Sequence, residues 1–368
     1  MNLLYLALST FSQTGGIEKV NKSWLKALSN LQEGFQFKLS AHLLMDNQAD
    51  TNYLSKNSFK GFKGNKIYFI LSSLTKALKS DVIVLSHINL AIIAVLVKKV
   101  KPKTQIFLHA HGIEVWRPLS KLQRKALQVA DRILAVSTFT ANELIRIHGV
   151  DKTKIQVLNN ALAPDFKAPE DLSKPANLLK QYDLQTDQPI LFTLARLSSA
   201  EQYKGYDQVI EVMPALLKRF PDLVYLIGGK ADTAEQERLN GLIEKQGLVN
   251  NIKLLGFIPD TELIDHYLLG DVFVMPSKGE GFGISFIEAA ACGRPVLAGN
   301  TDGSTDAVLN GQLGQLINPD NLTEMETAIT QLFKENRSEA NAYTIQQKCL
   351  KAFSFEAYQE KIKKLIFQ

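Results

Sequence analysis

Cysteine is scarce in this 368-residue chain, which has only Cys292 and Cys349. Two cysteines cannot form a disulfide framework, and their spacing fits no metal motif, so we expect a reducing, cytoplasmic setting. Long apolar runs are also missing: the longest, residues 90–97, ends at two lysines and falls well short of the roughly 20 residues that span a bilayer. The first residues lack the basic region and cleavage site of a signal peptide and predict a first strand instead.

Two kinds of ligand motif are absent as well. No Asp-x-Asp pair follows a predicted strand, and no histidine or cysteine cluster has zinc spacing, so we expect no metal cofactor. Gly15 and Gly16 follow the first strand without the G-x-G-x-x-G pattern that binds dinucleotides. This glycine pair is therefore either a tight turn or a ligand contact.

Acidic residues are few in the first half of the chain. Residues 1–165 contain 22 Lys and Arg and 10 Asp and Glu. Residues 166–368 contain 20 Lys and Arg and 27 Asp and Glu. A basic half indicates an anionic partner: nucleic acid, an acidic membrane surface or a phosphorylated acceptor. An ordinary lysine-rich surface would give the same count.

Predicted strands and helices alternate twice along the chain. A proline-rich segment, residues 164–189, separates the two series and predicts a linker with one short helix. The pattern predicts an α/β protein with two Rossmann-like doubly wound domains facing a central cleft. We place the domains at residues 1–165 and 166–351, expect a mobile loop at residues 46–66, and expect two helical segments to finish the chain.

The most informative stretch is residues 271–300. A buried strand leads into a glycine-rich loop, a helix and a second strand. Backbone N–H groups at a helix N-terminus suit a phosphate, and glycines allow close approach. Glu280 and Glu288 bracket the loop; they suit a ligand that also carries hydroxyls, such as a sugar, because carboxylates accept hydrogen bonds. The alternative is a helix with an N-terminal acid and a solvated glutamate.

Further polar groups follow other predicted strands. Arg196 and Lys204 flank one loop, and Gly228 begins another. A guanidinium and an ammonium together suit a diphosphate without a metal, whereas either one alone is typical of a surface ion pair. In the first half, His87, His109 and His111 lie at the ends of two predicted strands. They either form part of a functional site or have a structural role.

These patterns resemble the family 4 retaining glycosyltransferases of the GT-B superfamily. The resemblance covers nearly the whole chain, and its most specific part combines the Glu-x7-Glu segment with the Arg196 and Lys204 pair. The matching segments are residues 15–18, 111–112, 159–160, 195–197, 203–207, 255–257, 275–277 and 280–296. One departure is the polar loop at residues 198–202, which is longer than a tight turn needs.

The resemblance implies roles for individual residues. Arg196 and Lys204 would hold the donor diphosphate, Glu280 the sugar hydroxyls and Glu288 the nucleotide ribose. The remaining implied donor contacts are Gly15, Gly16, His111, Gly228, Phe257, Gly283 and Ile284. A last helix, about residues 352–368, would return to the first domain.

The implied activity is transfer of a hexose from a nucleotide-diphosphate sugar to a saccharide or lipid-linked saccharide, without a cofactor. GDP-mannose and UDP-sugars both remain open as donors, with GDP-mannose favoured by residues 282–284. We expect no nucleic-acid partner, and peripheral contact with an anionic inner membrane face. Two alternatives are a sugar-nucleotide epimerase of the same fold and a donor-binding subunit without catalysis; a phosphorylase would need a pyridoxal lysine motif that the chain lacks.

Overall fold

The computed structural model describes residues 1–335 and 339–368, and they divide into two compact units. Unit 1 consists of Met1–Phe166 together with Phe353–Gln368. Unit 2 consists of Lys167–Ala352. The chain therefore enters unit 2 once, leaves it once, and returns to unit 1.

Unit 1 is built on a seven-stranded sheet in the order β3-β2-β1-β4-β5-β6-β7, with every neighbouring pair parallel. Its strands are β1 Asn2–Ala7, β2 Lys38–Leu43, β3 Phe59–Gly61, β4 Val82–Leu85, β5 Gln105–Ala110, β6 Arg132–Ala135 and β7 Ile155–Val157. Its helices are α1 Gly16–Leu31, α2 Lys66–Ala77, α3 Ala91–Val100, α4 Lys121–Val129, α5 Thr138–His148 and, from the end of the chain, α14 Phe355–Phe367.

Two central strands of this sheet, β1 and β4, are almost entirely apolar. The β4 residues, VIVL, are all buried, and so are the residues of β1 after Asn2. Helices on both faces of a parallel sheet leave no solvated side, and this explains the continuous apolar runs. The strand order reverses direction between β1 and β4, and ligands of open α/β sheets bind outside the carboxyl ends of strands at such a point.

The segment predicted as a mobile loop contains structure. Residues 59–61 form β3, which pairs with β2 at the edge of the sheet, and a short 3-10 helix, Lys56–Ser58, precedes it. All three β3 residues are only partly buried. An edge strand of three residues with one neighbour needs little apolar sequence, so the prediction of an irregular loop was wrong here.

Helix α14 completes unit 1 by packing against α1. Asn30 Nδ2 donates to Gln359 Oε1 at 2.9 Å, and the rings of Phe35 and Phe367 stack with centroids 4.4 Å apart. Ser354 caps the helix, accepting from Ala357 N at 3.2 Å. The last helix thus contributes to the core of the unit that the chain began.

Unit 2 has a six-stranded parallel sheet in the order β10-β9-β8-β11-β12-β13, which reverses between β8 and β11. Its strands are β8 Ile190–Leu194, β9 Val224–Gly228, β10 Ile252–Gly256, β11 Val272–Met275, β12 Val296–Gly299 and β13 Gly314–Ile317. Its helices are α6 Ala176–Gln181, α7 Tyr206–Leu217, α8 Thr233–Lys245, α9 Leu263–Leu269, α10 Ile284–Ala291, α11 Ser304–Ala307, α12 Leu322–Glu335 and α13 Glu339–Phe353.

The end of the chain is more divided than its sequence predicts. Three helices, α12, α13 and α14, replace the two expected segments. Ser354 separates α13 from α14 with an extended backbone and a side-chain cap, which a pattern of apolar residues does not reveal. Cys292 and Cys349 are both free and buried. Among the helices described, none is both long enough and apolar enough to cross a membrane.

Candidate functional site

The polar groups of unit 2 collect at the carboxyl edge of its sheet, around the point where the strand order reverses. The loop after β8 carries Arg196 and Lys204, and the loop after β11 carries Glu280. Since β8 and β11 are neighbours in the sheet, these two loops are adjacent. Lys278 N donates to Tyr203 O at 2.9 Å and ties one loop to the other.

Lys204 and Glu280 form an ion pair across the two loops, and both side chains are largely buried. The ammonium also lies 5.2 Å from the centroid of the Tyr203 ring. Burial opposes the charge of Lys204, but Glu280, Tyr203 and Asp302 together raise the pKa of the ammonium. The site therefore holds a firmly charged cation beside a carboxylate.

Arg196 lies near this pair but is exposed, with 71% of its side-chain surface accessible, and its guanidinium pairs with Glu201. Burial raises the pKa of Tyr203. The positive charges of Lys204 and Arg196 oppose this shift, and the negative charges of Glu280 and Asp302 add to it. An exposed guanidinium held by one local carboxylate remains open to a further anion. The polar loop at residues 198–202 supplies that carboxylate.

Helix α10 begins directly after the glycine-rich loop. Gly283 stands before it with φ +88° and provides no side-chain cap, so the first N–H groups, at Ile284 and Ser285, are available to an anion. A Cβ on Gly283 would lie 2.3 Å from the ring of Phe286. Glycine is thus required here by both the backbone conformation and the packing.

The two glutamates of the loop and helix have different surroundings. Glu280 precedes α10 and pairs with Lys204, whereas Glu288 lies inside the helix and is 4% exposed. Tyr267 Oη donates to Glu288 Oε2 at 2.7 Å. Burial, and then the charge of Glu288, raise the pKa of Tyr267, which keeps that hydroxyl a donor.

Gly228 ends β9, and Phe257 directly follows the neighbouring strand β10. Gly228 is packed against Ile258, whose Cδ1 would lie 2.5 Å from a Cβ at that position. Gly229 N donates to Gly256 O at 2.7 Å, which joins the two strand ends. Phe257 follows with its side chain exposed, a residue 67% accessible at the edge of the same sheet.

One residue of this edge was not predicted from the sequence. Asp302 is 1% exposed and accepts from Ser277 Oγ at 2.5 Å, Glu280 N at 2.7 Å and Ser304 N at 2.9 Å. It thereby joins the loop after β11 to the loop after β12 and fixes the backbone of Glu280. Burial raises the pKa of Asp302, although these hydrogen bonds oppose the shift. A lone aspartate in a polar loop offers no spacing signal.

In unit 1, Gly15 and Gly16 lie at the start of α1. Gly15 has no side chain to cap the helix, and a Cβ on Gly16 would meet no described atom within 4 Å. The loop before them is held by Asp46, a 1% exposed residue whose carboxylate accepts from the backbone N–H of Thr10, Phe11 and Ser12 at 2.7–2.9 Å. Asp46 too was missed, because it begins the segment predicted as mobile.

His111 follows β5, and its Nε2 lies 2.7 Å from the carbonyl oxygen of Ser86 at the end of β4. A carbonyl only accepts, so Nε2 carries the proton and Nδ1 is the lone-pair acceptor of the neutral ring. Burial lowers the pKa of His111 to about 4, despite the opposing bond to Ser86. Its backbone N donates to Glu114 Oε1 at 2.5 Å, and burial raises the pKa of that carboxyl.

The other two histidines of this group differ from His111. His109 is fully buried in β5, with its ring 4.3 Å from that of His111, and neither of its nitrogens has a partner among the described residues. His87 caps a 3-10 helix, its Nδ1 accepting from Asn89 N at 3.0 Å. Burial lowers the pKa of both rings, to about 4 for His87. His109 is therefore buried within the sheet, whereas His87 and His111 are both half-buried and follow the ends of β4 and β5.

In each unit, the predicted site residues lie at the carboxyl edge of that unit's own sheet. Lys204 and Glu280 are in contact, Arg196 is close by, and Gly283 opens the adjacent helix, while Glu288 is withdrawn into the core beside Tyr267. Within residues 1–335 and 339–368, no group of three or more His, Cys, Asp or Glu is arranged to hold a metal.

Comparison with known proteins extends these observations. The family model described as Glycosyl transferases group 1 matches residues 176–348, and the model described as Glycosyltransferase Family 4 matches residues 14–166. A GDP-mannose-dependent alpha-(1-6)-phosphatidylinositol monomannoside mannosyltransferase from Mycolicibacterium smegmatis is 30% identical over 247 residues, 64% of this chain and 63% of that relative.

A D-inositol 3-phosphate glycosyltransferase 2 from Catenulispora acidiphila is 28% identical over 215 residues, 56% of this chain and 49% of the relative. The matches thus span less than two thirds of the length of either curated relative. The crystal structure of HepE from Anabaena in complex with UDP superposes with a TM-score of 0.78 at 20% identity, covering 100% of this chain and 99% of that one. This likeness shows the fold that the two proteins share, GT-B.

Proposed function

The chain belongs to glycosyltransferase family 4, and on that premise we propose that it transfers a hexose from a nucleotide-diphosphate sugar to a saccharide or lipid-linked saccharide, with retention of anomeric configuration. The observation that carries the proposal is the buried ion pair of Lys204 and Glu280 beside the open N-terminus of α10. A cation, backbone N–H groups and a carboxylate thus lie together at one point of the sheet edge, and this arrangement supports the proposal.

The donor would lie along the carboxyl edge of the unit 2 sheet. Lys204, Arg196 and the first amides of α10 are the donors for its diphosphate. Glu280 accepts from hydroxyls of the transferred sugar. Glu288 would accept from the ribose only after its carboxylate turns from Tyr267 toward the sheet edge, because it is 4% exposed and bound by that hydroxyl. The backbone at Gly228 and Phe257 lies at the other side of this edge, where the base would rest.

Catalysis would depend on stabilising the leaving diphosphate. Negative charge grows on that group as the glycosidic bond breaks, and Lys204 with the helix amides forms a prearranged cationic surface for it. These groups supply the charge that a metal provides elsewhere, so we expect activity to survive EDTA. No carboxylate is assigned as a covalent nucleophile; the acceptor would attack from the face that the diphosphate leaves, which retains configuration.

Unit 1 would supply the acceptor side. Gly16 leaves room for a diphosphate at the start of α1, whereas a Cβ on Gly15 would lie 2.5 Å from Glu18 Oε2. His111 offers a neutral ring for a sugar hydroxyl. Its basic composition favours an acceptor or a surface that carries negative charge.

The donor can be identified by ligand-dependent stability. Thermal unfolding would be followed with GDP, UDP, ADP and their hexose derivatives, because a ligand at a hundred times its Kd stabilises by about 2.7 kcal/mol. We expect GDP-mannose to give the largest shift among them, since the M. smegmatis relative is GDP-mannose-dependent by name. No shift with any nucleotide sugar would contradict the proposal.

The site is tested by paired variants. Lys204→Met should lower kcat/KM by about 10²-fold, because one preorganised cation at the leaving group is lost. Lys278→Met is the matched control: this lysine lies in the neighbouring loop after β11 and pairs with Asp320 at the surface, and its loss should change kcat/KM less than about twofold. Wild-type turnover in Lys204→Met would refute the assignment.

Glu280→Gln separates folding from chemistry. Lys204→Met leaves Glu280 buried without its cation, so Lys204→Met/Glu280→Gln should regain thermal stability while remaining inactive.

Proton NMR of the first product formed from an α-linked donor should show an α-linkage; a β-linked product would exclude retention.

A further inference from the structure

One stretch of unit 1 has a composition unlike its surroundings. Residues 51–80 contain six lysines and no acidic residue. No ion pair of the described residues involves any of the six. The stretch comprises the edge strand β3 and the helix α2, and none of the donor-site residues belongs to it.

Helix α2 is apolar on two sides. Its inner side is buried through Phe69, Ser73 and Ala77. Its outer side exposes Ile67 (74%), Tyr68 (52%), Leu71 (60%) and, directly after the helix, Leu78 (44%). Position 71 lies about one helical turn after position 67, and position 78 about three turns after it. The three side chains therefore lie on one side of the helix and form a continuous stripe. A helix with an ordinary water-facing side would place polar residues there.

A groove of about 700 Å³ lies beside this stripe, between α2 and the edge of the sheet. Lys60, Lys76 and Lys79 line it together with hydroxyl groups that include Ser58 and Thr75, and no carboxylate of the described residues lines it. Such a lining offers donors and positive charge to a phosphate.

One lysine of the groove, Lys60, is held in place by specific contacts. Lys60 Nζ donates to Ser72 Oγ at 2.8 Å and lies 4.8 Å from the centroid of the Tyr68 ring. His42 lies against the same groove, and burial, followed by the charges of Lys60 and Lys76, lowers its pKa to about 4. Three lysines therefore line one cavity, and the described part of the chain contributes no carboxylate to that lining.

We propose that α2 and this groove form a docking surface for an anionic phospholipid bilayer. The stripe of Ile67, Leu71 and Leu78 enters the interface between head groups and acyl chains, and Lys60, Lys76 and Lys79 contact head-group phosphates. An apolar stripe flanked by lysines without acids is the pattern of a helix that lies in the membrane surface. The inference deepens the acceptor side of the proposed function and rests on it, yet vesicle binding needs no turnover, so each can fail without the other.

The experiment is sedimentation of the full chain with vesicles of phosphatidylcholine alone and of phosphatidylcholine with 30 mol% phosphatidylglycerol. We expect binding to the anionic vesicles that weakens with salt, and little binding to the neutral ones. Leu71→Ser and Lys60→Gln/Lys76→Gln should each weaken the partition by about tenfold or more.

Matched controls carry the same chemical change elsewhere in unit 1. Leu122→Ser removes an exposed leucine of α4, and Lys361→Gln/Lys364→Gln removes two lysines of α14; neither should weaken binding by more than about twofold. Circular dichroism of each variant would confirm that it is folded.

Three outcomes would overturn the proposal. Equal loss of binding in the controls would mean attraction by net charge alone. A dimer that Leu71→Ser converts to a monomer would assign the stripe to a second copy of the chain. Binding of glycerol phosphate in the groove, measured by calorimetry, without any vesicle binding would assign the groove to a soluble phosphate.

Discussion

Asp302 and Asp46 do the same work in different units. Each is a buried carboxylate at the carboxyl edge of a sheet, and each accepts three hydrogen bonds that fix a loop. The loops that they fix carry Glu280 in unit 2 and lead to Gly15 in unit 1. The geometry of both glycine-rich loops therefore depends on residues that would not touch a ligand through their side chains.

Asp302→Asn should reduce both stability and activity. Asp302 Oδ1 accepts from Ser304 and Oδ2 from Ser277 and Glu280, so an amide group would face an N–H donor in either orientation. We expect the free energy of unfolding to fall by about 1–3 kcal/mol, as measured by urea denaturation.

The control for this variant is Asp320→Asn, which removes an exposed carboxylate paired with Lys278. Surface pairs contribute about 0–1 kcal/mol, so its unfolding midpoint should barely move. Equal midpoints for the two variants would show that Asp302 is not the residue that organises the loop.

The sequence identifies residues that belong to a motif and misses those that act alone. Glu280, Gly283 and Lys204 stand in recognisable spacings, and those spacings are enough to predict them as site residues. Their ion pair could not be predicted, because Lys204 and Glu280 are 76 positions apart and meet only when β8 and β11 become neighbours. Asp302 has no partner in a motif, and its burial follows from the packing of two loops.

At the scale of elements, glycine conformation connects the loops to the helices. Gly205 precedes α7 with φ +84°, and a Cβ there would lie 2.3 Å from the carbonyl oxygen of Pro276. This is the point where the loop after β8 touches the end of β11. The close approach keeps Lys204, the preceding residue, within reach of Glu280.

Gly205→Ala should therefore cost more than backbone strain alone. Gly247 provides the matched comparison, with φ +69° and no described atom within 4 Å of a Cβ. Gly247→Ala should lower the free energy of unfolding by about 1 kcal/mol, the cost of an alanine in the left-handed conformation. Gly205→Ala should lower it further, because Pro276 must also move. Chemical denaturation of both proteins and kcat/KM with the identified donor are the measurements; identical losses would contradict the argument.

Strands could be predicted from the sequence where both faces of the sheet are buried. The apolar runs of β1, β4 and β11 are continuous because helices cover both faces of each sheet, and their positions follow from the sequence. Strand β3 was missed for the opposite reason: it has one neighbouring strand, is partly exposed and is three residues long.

At the scale of the whole molecule, histidine burial makes the two units differ in their response to acid. His42, His87 and His111 of unit 1 each have a pKa of about 4 against an ordinary value of 6.5, with burial the largest cause. As the pH falls, these rings bind protons in the unfolded chain at a higher pH than they do in the folded one. The stability of unit 1 is therefore complete above pH 6.5 and declines between about 6.5 and 4.

This difference can be measured with intrinsic fluorescence. Both tryptophans, Trp24 and Trp116, belong to unit 1, so their emission reports that unit, while far-UV circular dichroism reports both. At pH 5 the fluorescence transition in urea should occur at a lower concentration than the dichroism transition, and at pH 7.5 the gap should narrow. A pH-independent gap would contradict the assignment of acid sensitivity to unit 1.

The split of unit 1 into two chain segments also has a consequence for biosynthesis. Leu162 N donates to Phe353 O at 2.9 Å, so the segments before and after unit 2 are bound side by side within unit 1. Unit 2 is contiguous, and all of it leaves the ribosome before residues 353–368 do. Because domains fold as units during synthesis, unit 1 cannot be completed until residues 353–368 have been made. A chain truncated at residue 352 should therefore expose the surface of α1 that α14 covers.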